Sequence, residues 1–182
     1  MDEPSIKDRA VVELAGIGDL PEIARINAKV FLGDRDNVAS AMEWIKCWFA
    51  AFPLYQYFVI KVDGVVAGYI GWQIHGGFLR PEPVVELEQI GIDPQFQGQK
   101  LGPKLTEESM CAVVAWIQKR NNRIESHVSV IVWGYASNFH AMKIYHERFT
   151  EGARGFRIQF GNRAENMLRM SIPLVRPIRE NE

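Results

Sequence analysis

The chain has 182 residues, of which 47% are hydrophobic and 24% charged, with 15 glycines and 9 prolines. A chain of this length can bury roughly 70% of the surface its unfolded form exposes, and the composition excludes a mainly disordered or collagen-like polymer. Lysine and arginine number 21 against 22 aspartates and glutamates, a near-neutral balance that lacks the basic footprint of a dedicated nucleic-acid binder.

The hydrophobic pattern alternates between strand and helix periods. Residues 11–14 read as a first strand. Asp19 then precedes Leu20-Pro21 as an N-cap followed by a first-turn proline. Ile23, Ile26, Ala28 and Val30 mark one face of a helix that reaches about Phe31. A polar break over 33–37 leads to a second helix over 38–52, which Pro53 ends. Its aromatic stripe of Trp44, Trp48, Phe49 and Phe52 reads as core. Tyr55–Val62 and Val65–His75 are apolar runs flanking Asp63-Gly64, a strong hairpin signal. Val84–Ile92 is the next strand, with alternation in Val85-Glu86-Leu87-Glu88. A polar turn over 95–102 opens a long helix that carries Leu105, Ala112, Val113, Trp116 and Ile117. A strand over 128–133, a helix over 138–149 and strands over 155–160 and 166–172 complete the order. The class is therefore α/β, with the order β-α-α-β-β-β-α-β-α-β-β, one mixed sheet and helices on both faces. A single domain over 1–182, with its core over about 11–172, is expected.

The two cysteines, Cys47 and Cys111, form no Cys-x-x-Cys, and no histidine sits at ligand spacing beside them. No metal site is expected, and both thiols read as reduced and mostly buried. The N-terminal MDEPSIKDR lacks the apolar region of a secretory signal. The most apolar stretch, residues 44–60, is interrupted by Lys46, Pro53 and Gln56 and is too polar to span a bilayer. A cytoplasmic protein with no membrane and no nucleic-acid partner is expected.

The turn after Ile92 carries the chemistry. It reads Asp93-Pro94-Gln95-Phe96-Gln97-Gly98-Gln99-Lys100, and a helix begins at about Leu101. First-turn N–H groups of a helix have no internal partner and sit at the positive end of its dipole. Lys100 and Lys104 at that end are unfavourable unless an anion compensates, and phosphate or pyrophosphate is the obvious one. Neither the P-loop nor the dinucleotide fingerprint is present. Two surface lysines on a solvated helix start would explain the turn equally well.

Ile90-x-Ile92-x-Pro94-x-x-Gln97-Gly98-Gln99-Lys100-Leu101-Gly102 resembles the acetyl-CoA signature of the GCN5-related N-acetyltransferases, Gln/Arg-x-x-Gly-x-Gly/Ala after a strand ending in an apolar-x-Pro tract. Gln97 and Gly102 match its first and last positions. Its middle glycine is Lys100 here, for which a positive φ would be harder, and Pro103 removes one N–H. Asn138-x-x-Ala141-x-x-x-Tyr145 resembles the family's later helix, although Phe149-Thr150 stands where the family has Gly-Phe.

The resemblance implies a sheet splayed at the cofactor site and direct acetyl transfer from acetyl-CoA to a small-molecule or peptide amine. It implies no metal, and a chain acting alone or as a homodimer. Backbone groups of Ile90, Gly91 and Ile92 would meet the pantetheine arm. Gln97, Gly98, Gln99, Lys100, Leu101 and Gly102 would hold the pyrophosphate, with Lys104 adding charge. Asn138 would reach the cofactor arm, and Tyr145 would protonate the leaving thiolate. Glu86 is the first choice of base, with Glu88 the second or a partner. Two glutamates on one face of an apolar strand are unusual for packing alone, yet either could equally face solvent or pair with an arginine. Asp34, Asp36 and Glu43 could attract a cationic acceptor or form a solvated cluster. A catalytically silent acyl-CoA-binding module is the competing reading.

Overall fold

A computed structural model describes residues 5–32, 37–76, 82–121, 126–135, 156–160 and 163–174. The chain divides into two compact units. The first comprises residues 1–73 and 89–113, and the second comprises 74–88 and 114–182.

The first unit is built on three antiparallel strands, β1 (Ala10–Leu14), β2 (Tyr55–Val62) and β3 (Val65–His75). β1 pairs with β2 from Ala10↔Val62 to Leu14↔Phe58, and β2 pairs with β3 from Tyr55↔Gln73 to Val62↔Val65. The hairpin turns on Asp63 and Gly64, with φ of 49° and 82°. Positive φ at both central residues suits the right-handed twist of the flanking strands, which is why Asp-Gly is found there. β2 and β3 are buried along almost their whole length, so both faces need cover.

One face is covered by α2 (Leu20–Asn27) and α3 (Val38–Ala50). Ile23, Ala24 and Ile26 of α2 and Ala41 and Ile45 of α3 pack with Tyr55, Tyr57, Val59 and Tyr69. A ladder of rings runs through this core, Trp48 to Tyr55 at 4.6 Å, Tyr55 to Tyr57 at 4.8 Å and Tyr57 to Tyr69 at 6.1 Å between centroids. The opposite face carries Trp72, whose indole N–H donates to Ser109 Oγ at 2.8 Å. Ser109 lies in α4 (Leu101–Gln118), so a helix covers this side as well.

The second unit contains the start of β4 (Val84–Ile92) and all of β5 (Ser126–Tyr135), β6 (Phe156–Phe160) and β7 (Arg163–Leu174). β4 runs parallel to β5 from Val84↔Ser129 to Leu87↔Val132. β7 lies antiparallel between β5 and β6. Parallel and antiparallel pairings together make the architecture mixed α/β, as expected.

Several local expectations need correction. A short helix, α1 (Ile6–Arg9), precedes β1, capped by the Ser5 side chain. α2 ends at Asn27 and continues as a π-helical turn over Ala28–Leu32, which leaves Val30 and Phe31 exposed. Asp19 stands at the N-cap of α2 with proline in the first turn, as expected, but its side chain makes no capping hydrogen bond. Its carboxylate accepts from the Gly16 N–H at 2.9 Å and pairs with Lys61 at 2.9 Å. Trp44 is half-exposed, because the buried face of α3 runs through Ala41, Ile45, Trp48 and Phe49, and α3 ends at Ala50, not at 52, so Phe52 lies beyond it and is half-exposed too. Cys47 and Cys111 are both free and exposed. Each lies two positions from a buried residue of its helix, Ile45 or Ser109 and Val113, and positions two apart face different sides. The expected helix over 138–149 lies outside the described residues.

Two glycines, Gly68 and Gly91, allow the close approach of strands around the end of β4. A Cβ on Gly68 would lie 2.8 Å from the Gly91 carbonyl oxygen and against Ile92 Cδ1. Because the obstacle is partly backbone, Gly68→Ala should cost about 1–3 kcal/mol through overpacking. It will appear as a lower urea midpoint, whereas Gly18→Ala, with open space around it, should leave the midpoint nearly unchanged.

Candidate active site

β4 leads into the turn over 93–100. Its end is tied to β3 by the Asp93 N–H, which donates to the Ala67 carbonyl at 2.9 Å. The Asp93 carboxylate then turns back and accepts from the Gln95 N–H at 3.0 Å, capping a single 3-10 turn over Pro94–Phe96. Asp93 is 1% exposed. Its other carboxylate oxygen pairs with Arg25 at 2.5 Å and approaches Lys29 at 3.5 Å. Burial pushes this carboxyl up. The hydrogen bonds from the Gln95 N–H and Arg25 and the charges of Arg25 and Lys29 outweigh that, so it lies below the ordinary range. The sequence marks Asp93 only as a strand end. Asp-Pro at the start of a tight turn is the local signal of a capping aspartate, but its cationic partners come from α2 and the π-helical turn after it.

Beyond Phe96 the backbone opens. Gly98 has φ of 78° and Lys100 has φ of 59°. The expectation that a lysine would resist the left-handed conformation at the family's middle glycine is thus met by a lysine that adopts it. Left-handed backbone costs an L-residue about 1–2 kcal/mol. Left-handed residues can turn neighbouring N–H groups toward a common anion; here Gln97 is extended, and the left-handed Gly98 and Lys100 stand just before the N-terminus of α4. Space around Gly98 is open, with no atom within 4 Å of where its Cβ would be. The Gln97 side chain folds back and donates to the Ile92 carbonyl at 3.1 Å. Gln97, Gly98, Gln99 and Lys100 are exposed, while Leu101 is buried and anchors the helix.

Lys104 is placed differently from Lys100. Its ammonium donates to the carbonyls of Lys7 at 3.0 Å and Ala10 at 2.6 Å. Lys100 makes no side-chain bond among the described residues and is free to meet an anion.

Glu86 and Glu88 share one side of β4 and are half-buried, while Val85 and Leu87 on the other side are buried. Glu86 Oε2 lies 2.5 Å from His75 Nε2. Its partner is therefore a histidine at the end of β3 and not an arginine. No local spacing signals this contact, because it is made across strands. Asn138, Tyr145, Asp34 and Asp36 lie outside the described residues, and Glu43 is exposed. Among the described residues no group of three or more potential ligands could hold a metal ion. No described helix is long and apolar enough to cross a membrane.

Residues 21–149 match the model of the Acetyltransferase (GNAT) family. No curated protein matches the sequence. Solved structures share the fold at low identity. The ribosomal-protein-S18-alanine N-acetyltransferase from Escherichia coli is 18% identical with a TM-score of 0.56, over 95% of this chain and 99% of that one. The dodecameric spermidine N-acetyltransferase from Vibrio cholerae is 14% identical with a TM-score of 0.61, over 96% and 99%. An aminoglycoside acetyltransferase from an uncultured soil metagenomic sample is 16% identical with a TM-score of 0.63, over 86% and 97%.

Two outcomes follow from the turn. Asp93 contributes stability that is complete above its unfolded value of about 3.9. As pH falls below that value the unfolded chain takes up the proton first, and the contribution fades until pH passes the lower folded value. Asp93→Asn should therefore lower the melting temperature at pH 7 and flatten its fall between about pH 5 and pH 2. At Lys100, replacement by glycine should be neutral or stabilising by up to about 1 kcal/mol, whereas Lys100→Val should cost more than about 1 kcal/mol in a urea melt, because β-branched residues are outliers at positive φ.

Proposed function

Since the chain belongs to the acetyltransferase (GNAT) family, we propose that it moves an acetyl group from acetyl-CoA directly to a primary amine of a small molecule or peptide. The observation that carries this reading is the pair of positive φ values at Gly98 and Lys100, just before the N-terminus of α4, which supports a turn whose N–H groups face an anion. Pyrophosphate fits such a turn, since it needs several convergent donors and little side-chain bulk. N–H groups over 97–102 hold it, and Lys100 adds charge. Lys104, whose donors lie on Lys7 and Ala10, acts only through its field. Backbone groups of Ile90, Gly91 and Ile92 meet the pantetheine arm, in the manner of an added strand. The parallel register of β4 with β5 covers only Val84–Leu87, which is compatible with that use of the later residues. The resemblance assigns Asn138 to the arm and Tyr145 to the leaving sulfur.

Chemically the chain has three tasks. Glu86 accepts the proton that the acceptor's ammonium must lose, directly or through water, with Glu88 the second choice. A backbone N–H near Ile92 polarises the thioester carbonyl. Tyr145 donates a proton to the departing thiolate and is restored by the second proton that the nitrogen loses as the amide forms, directly or through water, so the nitrogen exchanges that hydrogen for an acyl bond, the sulfur exchanges its acyl bond for a hydrogen, and the proton on Glu86 leaves to solvent. The family match spans parts of both units, which supports reading them as one N-acetyltransferase domain. Two free, exposed thiols among the described residues fit a reducing compartment such as the cytoplasm.

A thermal melt against CoA and acetyl-CoA, followed by thiol release with a panel of amines, tests the reading. Acetyl-CoA at about 100 times its dissociation constant should stabilise the fold by about 2.7 kcal/mol. Glu86→Gln should lower kcat by about 100-fold or more with little change in that stabilisation, and Tyr145→Phe should also lower kcat. Stabilisation without turnover on any amine would replace this reading with an acyl-CoA-binding module. Neither stabilisation nor turnover would overturn both.

A further inference from the structure

The reading of Glu86 as base leaves one neighbour unexplained. His75, the last residue of β3, brings Nε2 to 2.5 Å from Glu86 Oε2. The Glu86 side chain is 17% exposed and that of His75 is 40% exposed. Among the described residues this is the bond made by the Glu86 carboxylate, and Oε1 is left over. Glutamate has three side-chain torsions and several accessible rotamers, with a broad final torsion. A general base must instead keep one oxygen within hydrogen-bond reach of the proton it removes. A rigid imidazole with only two torsions, mounted on an adjacent part of the same unit, can supply that constraint.

We propose that His75 is a positioning residue for acetyl transfer: its Nε2–H holds Oε2 of Glu86 and leaves Oε1 as the oxygen that receives the acceptor's proton. This rests on the acetyltransferase reading with Glu86 as base. The bond requires the tautomer that bears hydrogen on Nε2, and no proton passes through His75 itself. The ring donates one hydrogen bond before and after the step. The proton that leaves the amine rides on Glu86 and departs from it to solvent.

Two polar substitutions of similar size separate positioning from simple packing. The amide nitrogen of glutamine falls near the place of the imidazole Nε2, while that of asparagine falls near Nδ1 and cannot reach Oε2. With the best amine of the panel, His75→Asn should lower kcat about 10- to 100-fold, the cost of a misplaced catalytic group. Its KM for acetyl-CoA should stay within about twofold and its melting temperature near that of His75→Gln. His75→Gln should restore kcat to within about threefold of the unsubstituted enzyme. In a Glu86→Gln background the two substitutions should have equal kcat, because the group they position is gone. Equal kcat for His75→Asn and the unsubstituted enzyme would overturn the proposal and leave the acetyltransferase reading standing. So would an undiminished asparagine defect in the Glu86→Gln background. Failure of the unsubstituted protein to release thiol with any amine would instead bring down the acetyltransferase reading, and the role of His75 with it.

Discussion

A buried carboxylate holds the candidate active site together. Asp93 sits where β4 ends and the turn before α4 begins, and it bonds in three directions: to the Gln95 N–H, to Arg25 and toward Lys29. The first bond shapes the turn. The other two tie that turn to α2 and to the π-helical turn after it. An ionised group so far out of water is tolerable only when charge and hydrogen bonds replace its hydration. Satisfying Asp93 therefore requires strand end, turn and helix to be in place together.

The turn itself is a compromise between backbone and side chain. Three features favour an anion there: the left-handed residues at Gly98 and Lys100, the first turn of α4 and the charge of Lys100. Lysine is a poor residue for that backbone but a good one for the charge. Lys104, one turn further on, ties the start of α4 to the chain around α1 and β1 instead. Two lysines that look equivalent in the sequence thus have different work, and the difference lies in which carbonyls happen to be within reach. The close packing at Gly68 and Gly91 is part of the same arrangement, since it sets the end of β4 against β3.

At the other end of β4 the structure makes a contact of a different kind. Glu86 and Glu88 alternate onto the less buried side of the strand, as period-two geometry demands. Only Glu86 meets His75 at 2.5 Å. This distinguishes two glutamates that strand periodicity alone leaves alike.

Much of the architecture was legible in the amino-acid order, because local rules decide it. Asp63-Gly64 could turn a hairpin only with positive φ, so β2 and β3 begin and end where the apolar runs do. The strand–turn–helix unit from Val84 to α4 followed from a change of hydrophobic period. Exposure was less legible. A helix stripe is a matter of 100° per residue, and a small phase error moved Trp44 from inside to outside, whereas Phe52 lies beyond the end of α3 and the two cysteines, expected inside from residue type alone, are exposed. What tertiary structure alone decided are the contacts between residues distant in the chain: Arg25 with Asp93, Lys104 with the carbonyls of Lys7 and Ala10, and His75 with Glu86. Sequence patterns report the period and handedness of a segment. They do not report which side chain of another segment will stand within 3 Å, because that depends on register and on the angle at which elements pack.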